Sequence, residues 1–308
     1  MKFEPEGLEE FTQIDDYWMK REGLIFYPFD RNRKAYFLAK SGGNENVKEV
    51  EMLNNPAVER LEFETGVILA KADIESGSMS KVVLARNQKE VTRVNAAQSF
   101  AKACELYPSS FCYLVDLGYE KWVGASPELL LSYKEGQIST VALAGTKSID
   151  EAFTLKEQEE QSMVEDFIEL KLREIGLEDF EKSDKQETQF DQLKHLKTNY
   201  VAKCSADQAL QALKHLQPTS AVCGLPRDHS FAFISEMEAM NRGFYAGITG
   251  VLTKESATFY VNLRCARIES EEVEYFAGAG ITADSEPKDE WQETQRKIDS
   301  IKAFTVSS

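Results

Sequence analysis

Two acidic pairs stand where helix geometry could use them. Glu157 and Glu160 lie three residues apart in one amphipathic run, Glu290 and Glu293 three apart in another, with Lys297 one turn beyond Glu293. Residues three or four apart share a helix face. Two such pairs on facing helices could offer oxygen ligands to a hard cation, and Mg²⁺ commonly takes one or two carboxylates and keeps some water. In a chain with 52 acidic residues the same spacing also describes a solvated helix face. Lys81, in Ser80-Lys81-Val82-Val83-Leu84-Ala85-Arg86, is a lone lysine beside apolar strand neighbours. Desolvation can turn such a lysine into a general base, whereas at a sheet edge it would only block aggregation. Glu128, after Ser126-Pro127, reads as a turn residue, a helix-start acid or a catalytic acid. His195 is one of three histidines and reads by default as a satisfied core histidine. Arg264, within Val261-Asn262-Leu263-Arg264-Cys265-Ala266, needs a carboxylate or a bound anion if buried. Gly278 and Gly280, in Phe276-Ala277-Gly278-Ala279-Gly280-Ile281, could bring bare N–H groups close to an anion. The third glycine and the βα unit of a dinucleotide fingerprint are missing.

The elements that must position these residues alternate between strand and helix patterns. Leu24–Tyr27 and Ala35–Leu38 flank Asp30-Arg31-Asn32 and predict a hairpin. Val91–Leu106 has helical spacing and stops before Pro108. Strands are expected over Phe111–Leu117, Leu129–Tyr133 and Ile138–Ala144, the last two joined by a Lys-Glu-Gly turn. Thr154–Ile175 predicts a long helix with Gly176 as its stop, and Ala206–Leu216 and Ser230–Ala239 predict shorter ones. Tyr245–Leu252, Ala257–Ile268 and Glu272–Ala277 read as strands, before a closing helix over Lys288–Phe304. Connections this short force antiparallel neighbours, so the class is α+β and not a doubly wound parallel sheet.

Composition narrows the partners. Lys and Arg total 36 against 52 Asp and Glu, a net charge of −16, and 42% of residues are hydrophobic. Nucleic acid and anionic membrane both demand a basic footprint, so neither is expected. No apolar run reaches the length of a membrane span, and the N-terminal residues lack a signal pattern. The five cysteines, Cys104, Cys112, Cys204, Cys223 and Cys265, form no CxxC pair and read as buried thiols of a reducing compartment. A cytoplasmic location is the expectation.

Read in order, six motifs resemble those of the chorismate-utilising enzymes. They are Ser80–Arg86, Gly124-Ala125-Ser126-Pro127-Glu128, Ala142-Leu143-Ala144-Gly145-Thr146, Gln217–Arg227, Ala277–Ile281 and Glu290-Trp291-Gln292-Glu293-Thr294. The likeness runs from about Ser76 to the C-terminus. It implies two related α+β halves forming a β-sheet sandwich with outer helices, and an active site in the cleft between them. Residues 1–75 would be a short α/β lead-in to the same unit, and 76–308 the catalytic domain. The resemblance also implies chorismate as a small-molecule substrate and Mg²⁺ as cofactor; a monomer or weak dimer is the expectation.

Branches of the family differ at positions readable here. Ammonia needs no base, and aminating members typically lack a lysine at the position of Lys81, whereas water as nucleophile must be deprotonated. Lys81 therefore favours the hydrating branch, as does Ala144, where aminodeoxychorismate synthases carry a lysine. The Gln217–Arg227 run is similar to the menaquinone-type isochorismate synthases. A salicylate synthase, which also eliminates pyruvate, and an aminating anthranilate or aminodeoxychorismate synthase are the alternatives. By resemblance, Lys81 activates water for attack at C2 of chorismate and Glu128 protonates the departing C4 hydroxyl. Glu160 and Glu293 would hold Mg²⁺, with Glu157 and Glu290 supporting through its waters. Arg264, Tyr245 and the amides of Gly278 and Gly280 would cradle the enolpyruvyl carboxylate, and Gly145, Thr146, His195 and Lys297 would lie near the ring. Gln161 departs from the histidine that often follows the metal-ligand glutamate. The N-terminal part is short for the family, and the regulatory amino-acid pocket of anthranilate synthases is expected to be absent.

Overall fold

Hairpin chemistry organises the N-terminal quarter. In this computed structural model, which describes residues 2–3, 8–30, 32–39, 55–118, 120–190 and 192–308, strands β1 (Lys2–Phe3) and β2 (Leu8–Phe11) precede β3 (Gly23–Tyr27) and β4 (Ala35–Ala39). β3 and β4 pair antiparallel as expected, and Asp30 Oδ1 accepts the Asn32 N–H at 2.9 Å; Arg31 lies outside the described residues. Helix α1 (Arg60–Glu75) leads into β5 (Lys81–Val91), and helix α2 (Ala96–Leu106) is capped by the Asn95 side chain. The helix expected from Val91 thus begins five residues later, because Val91 still belongs to a strand. Strands β6 (Phe111–Asp116), β7 (Lys121–Ser126), β8 (Leu129–Lys134) and β9 (Gln137–Ser148) follow. Glu135 and Gly136 turn between β8 and β9 with φ of 53° and 75°.

Helix α3 (Leu155–Glu174) opens with a capping box, in which Thr154 and Glu157 satisfy each other's backbone N–H groups, and Gly176 follows its end at φ 77°. Next come β10 (Phe180–Lys182), β11 (Gln186–Phe190), β12 (Leu193–Lys203), α4 (Ala206–Leu216), β13 (Gly224–Leu225) and α5 (Arg227–Met237). The chain continues through β14 (Ile248–Leu252), β15 (Ser256–Val261), β16 (Cys265–Ile268), β17 (Glu272–Ile281) and α6 (Pro287–Lys302).

Two sheets result. One has seven strands in the order β1-β6-β7-β16-β17-β5-β13; the other has ten, in the order β10-β12-β9-β8-β15-β14-β3-β4-β2, with β11 on β12. All pairings between these strands are antiparallel except β1 with β6. Aromatic rings from both sheets meet between them: Phe26 of β3 lies 5.8 Å from Trp122 of β7, which stacks on Phe276 of β17 at 5.4 Å. Trp122 is fully buried, so the sandwich interior is where most apolar area leaves water. Helices α3 and α4 cover the ten-stranded sheet, and α1, α2, α5 and α6 cover the seven-stranded one. The α+β sandwich with outer helices is therefore present.

The expected strand over Ala257–Ile268 is two strands in different sheets. The chain leaves the ten-stranded sheet at Val261 and enters the seven-stranded one at Cys265, turning at Arg264 with φ 50°. A second crossing runs the other way, from β7 to β8 through Ser126, Pro127 and Glu128. The crossings lie side by side: the Ala125 N–H donates to Arg264 O at 3.1 Å, the Val261 N–H to Glu128 O at 3.0 Å, and Ser126 Oγ to Val261 O at 2.5 Å. Arg264 is accordingly a crossing residue and not a strand residue. Of the five free cysteines, Cys223 and Cys265 are buried, Cys112 and Cys204 half-buried and Cys104 exposed, which corrects the expectation of uniform burial.

Candidate active site

A cleft of about 680 Å³, its mouth included, opens where the crossings meet β5, β9, β12 and β17. Its walls include Glu128, Gly145, Thr146, Glu160, His195 and Tyr245. Arg264, Gly278, Gly280 and Lys297 join them, whereas Lys81, Glu157, Glu290 and Glu293, also expected at the site, do not line the cleft. Lys81 stands directly behind this wall. Its side chain is fully buried, and its ammonium lies 3.0 Å from Glu160 Oε1. The room for that pair exists because residue 280 has no side chain: a Cβ there would run into Glu160 Oε1 and come within 3.1 Å of Lys81 Cε. Lys81 is also no edge lysine, since β5 is flanked by β17 and by β13, where Leu225 pairs opposite it. The Gln217–Arg227 run thus backs the lysine with its Gly224-Leu225 strand and sends Ala221 and Val222 into the cleft wall.

Glu128 is buried at its crossing, and burial pushes its carboxyl up to about 8 despite the opposing pull of Lys81 and Lys297. It is therefore a protonated acid at neutral pH. Lys297 Nζ donates to Glu293 at 2.7 Å and to the Gly278 carbonyl at 2.8 Å, so a cation is held against the glycine segment. Tyr245, expected on a strand, precedes β14 in a turn, its N–H donating to Arg242 O. Its hydroxyl would be 3.0 Å from a Cβ on Gly278, so the absent side chain leaves room for the tyrosine's polar tip. Gly145 has φ +65°, and a Cβ there would be 2.8 Å from Glu157 O, which is why helix α3 can start so close to β9.

The four glutamates of α3 and α6 each meet a lysine. Glu157 pairs with Lys147 at 3.3 Å, Glu160 with Lys81, Glu293 with Lys297, and Glu290 with Lys156 in a short contact between the helices. Burial and the neighbouring Glu293 charge push Glu290 up to about 7. Glu290 contacts Lys156, and the charges of Glu293 and Glu160 also favour its cation from farther off. Among the described residues, no three acidic, imidazole or thiol groups are close enough to share one ion as they stand. Glu157 also accepts from the Thr154 N–H at 2.8 Å and Thr154 Oγ1 at 2.6 Å, so its carboxylate serves the helix cap. Sequence reasoning missed Lys147 and Lys156. Lys156 was detectable one helical turn before Glu160 on the same face. Gln161, fully buried, turns away from the cleft and donates toward Ala142 O, Glu165 Oε1 and Thr198 Oγ1.

Residues 28–305 match the family described as chorismate binding enzyme. The isochorismate synthase MenF of Haemophilus influenzae is 32% identical over 243 residues, 74% of this chain and 56% of that one. The anthranilate synthase component 1 of Aquifex aeolicus is 28% identical over 267 residues, 80% of this chain and 53% of that one. The chain therefore spans little more than half the length of these curated relatives. In structure it is similar to MenF, the menaquinone-specific isochorismate synthase from Escherichia coli, with a TM-score of 0.77, 25% identity, and coverage of 96% of this chain and 83% of that one. The family match spans nearly the whole chain, and five of the six motifs contribute to the one cleft, the sixth reaching it through the Glu293–Lys297 pair: the chain belongs to the chorismate binding enzymes.

Proposed function

We propose that this chain is an isochorismate synthase, exchanging the C4 hydroxyl of chorismate for a C2 hydroxyl derived from water. The observation that carries the reading is the pairing at one cleft of a fully buried lysine, Lys81, with an acid, Glu128, whose proton is retained to about pH 8. With Lys81 as the neutral amine, a water proton passes to its Nζ as the oxygen bonds to C2. The ring double bonds shift, and the C4–O bond breaks as Glu128 delivers its proton, so that water departs. General acid and general base catalysis each contribute ~10²–10⁴ in rate. Arg264 and Lys297 supply the cations that a dianionic substrate needs on a protein of charge −16.

The donor chemistry fits a hard dication. Glu160, Glu290 and Glu293 all bias the one Lys156 cation, with Glu290 in contact, and oxygen ligands suit Mg²⁺. These three would hold the ion, while Glu157 stays with the helix cap, a narrower set than the sequence suggested. Bound there, Mg²⁺ would neutralise and clamp the ring carboxylate of the substrate. Incubation with chorismate and Mg²⁺, followed by chromatography and a coupled pyruvate assay, tests the function. Isochorismate without pyruvate is the expected product. Stoichiometric pyruvate would make the chain a salicylate synthase, and an aromatic amine formed with ammonium would make it an aminating enzyme; either overturns the reading.

A further inference from the structure

His195 and Thr146 are register partners on β12 and β9, and His195 Nδ1 lies 3.2 Å from Thr146 Oγ1. On the other side of the ring, Arg264 Nη2 lies 3.5 Å from His195 Nε2. Arg264 is itself anchored, donating through Nη1 to Ser300 Oγ at 2.7 Å and lying over the Phe190 ring at 4.7 Å. A guanidinium has donors only, so His195 Nε2 must be the acceptor of that contact. A neutral imidazole with a bare Nε2 carries its proton on Nδ1. The only role left for Thr146 Oγ1 in the contact with His195 is acceptor, and the hydroxyl proton must then point elsewhere. Thr146 lines the cleft. Burial and the nearby charges of Arg264 and Lys297 hold the imidazole well below its ordinary range, while Lys194, next in sequence, is turned to Glu187.

We propose that Arg264 and His195 form a donor relay that locks His195 as the neutral Nδ1–H tautomer and makes the Thr146 hydroxyl a dedicated donor to a carboxylate oxygen of the bound ligand. The carboxylate rests on the reading of chorismate as substrate; the relay itself does not. His195 is thus a positioning residue, and Thr146 a specificity determinant that favours an acceptor-only group over a hydroxyl that must itself donate.

Nitrogen-15 histidine spectra of the full chain at neutral pH, without ligand, test the relay. The His195 signals are assigned by their loss in His195→Asn. A protonated Nδ1 with a bare Nε2 is expected, and an Nε2–H tautomer or an imidazolium overturns the proposal. Steady-state kinetics with chorismate test the ligand half. Thr146→Val should raise KM about tenfold or more with little change in kcat, as loss of one hydrogen bond to a charged group predicts. Thr146→Ser should restore it. His195→Asn, whose amide can replace the Nδ1 donor, should stay closer to the parent KM than His195→Leu. An unchanged KM in Thr146→Val overturns the carboxylate assignment. If the parent chain forms no isochorismate, the functional reading fails while the spectra still decide the relay.

Discussion

Glu128 and Lys81 sit at opposite ends of one proton account, and each can be tested by an uncharged replacement of similar size. Lys81→Gln should lower isochorismate formation by ~10²–10⁴, the share of a general base, while chorismate affinity measured by calorimetry changes little. A variant that folds and turns over like the parent would remove the lysine from the mechanism. Glu128→Gln should slow the forward and reverse reactions alike, since the group that gives a proton in one direction takes it back in the other. The parent rate should also fall as pH rises through about 8, where Glu128 gives up its proton, and the variant should lack that limb. Loss in one direction only would contradict the assignment. Gly280→Ala brings a third residue into the same test. Its methyl would press on Glu160 and Lys81, so it should reduce turnover without replacing any ionisable group.

Helices α3 and α6 meet through the Lys156–Glu290 contact, and that contact decides how an ion would be received. The four glutamates are matched by Lys81, Lys147, Lys156 and Lys297, so the pair of helices does not rely on a metal to relieve repulsion among its carboxylates. A dication that recruits Glu160, Glu290 and Glu293 competes with an ammonium already there. Mg²⁺ and chorismate should bind with positive coupling, each strengthening the other by the same factor. Calorimetric titration of chorismate with and without Mg²⁺ at fixed ionic strength measures it, and equal affinities would leave the carboxylates as structural ion pairs only. Glu160→Gln should remove much of the coupling. At this scale the sequence was readable wherever periodicity was clean: α4 matches its expected range, and α3 lies one residue inside each end of its own. It was unreadable where tertiary structure interrupts the pattern. Strand β12 hid because a bulge between His195 and Leu196 shifts its alternation by one residue. Helix α1 hid because Leu61, Ile68 and Leu69 are exposed and blur its apolar stripe. The crossing at Arg264 hid inside a strand-like run over Ala257–Ile268, since its polar Asn262 and Arg264 do not by themselves announce a change of sheet. Lys81, Glu128 and the cleft residues were legible through ordered motifs, but the lysine partners of the glutamates needed the fold.

For the molecule as a whole, two buried acids set a pH window. Glu128 and Glu290 are raised from about 4.5 to about 8 and about 7, so the folded state holds protons that the unfolded chain has released. Their contribution to stability is fully present below about 4.5 and is lost as pH rises through 7 and 8. Carboxylates held low by lysines, such as Glu160, Glu165 and Glu169, act below that window. Thermal unfolding should therefore occur at progressively lower temperature from about pH 6.5 to pH 8, the neutral His195 imidazole opposing the trend below its ordinary value of 6.5, and Glu128→Gln should flatten the upper part of the slope. A flat parent profile would show that these carboxyls titrate normally. The side-by-side crossings carry a mechanical consequence. Many two-layer enzymes close on their ligand by hinge rotation, but here the layers are stitched together at the floor of the cleft by the very segments that bear Glu128 and Arg264. Rocking the sheets apart would tear that seam and carry the acid and the guanidinium out of register. The scaffold should behave as a rigid jaw, with an unchanged radius of gyration in solution scattering when substrate binds, and any gating left to side chains at the mouth.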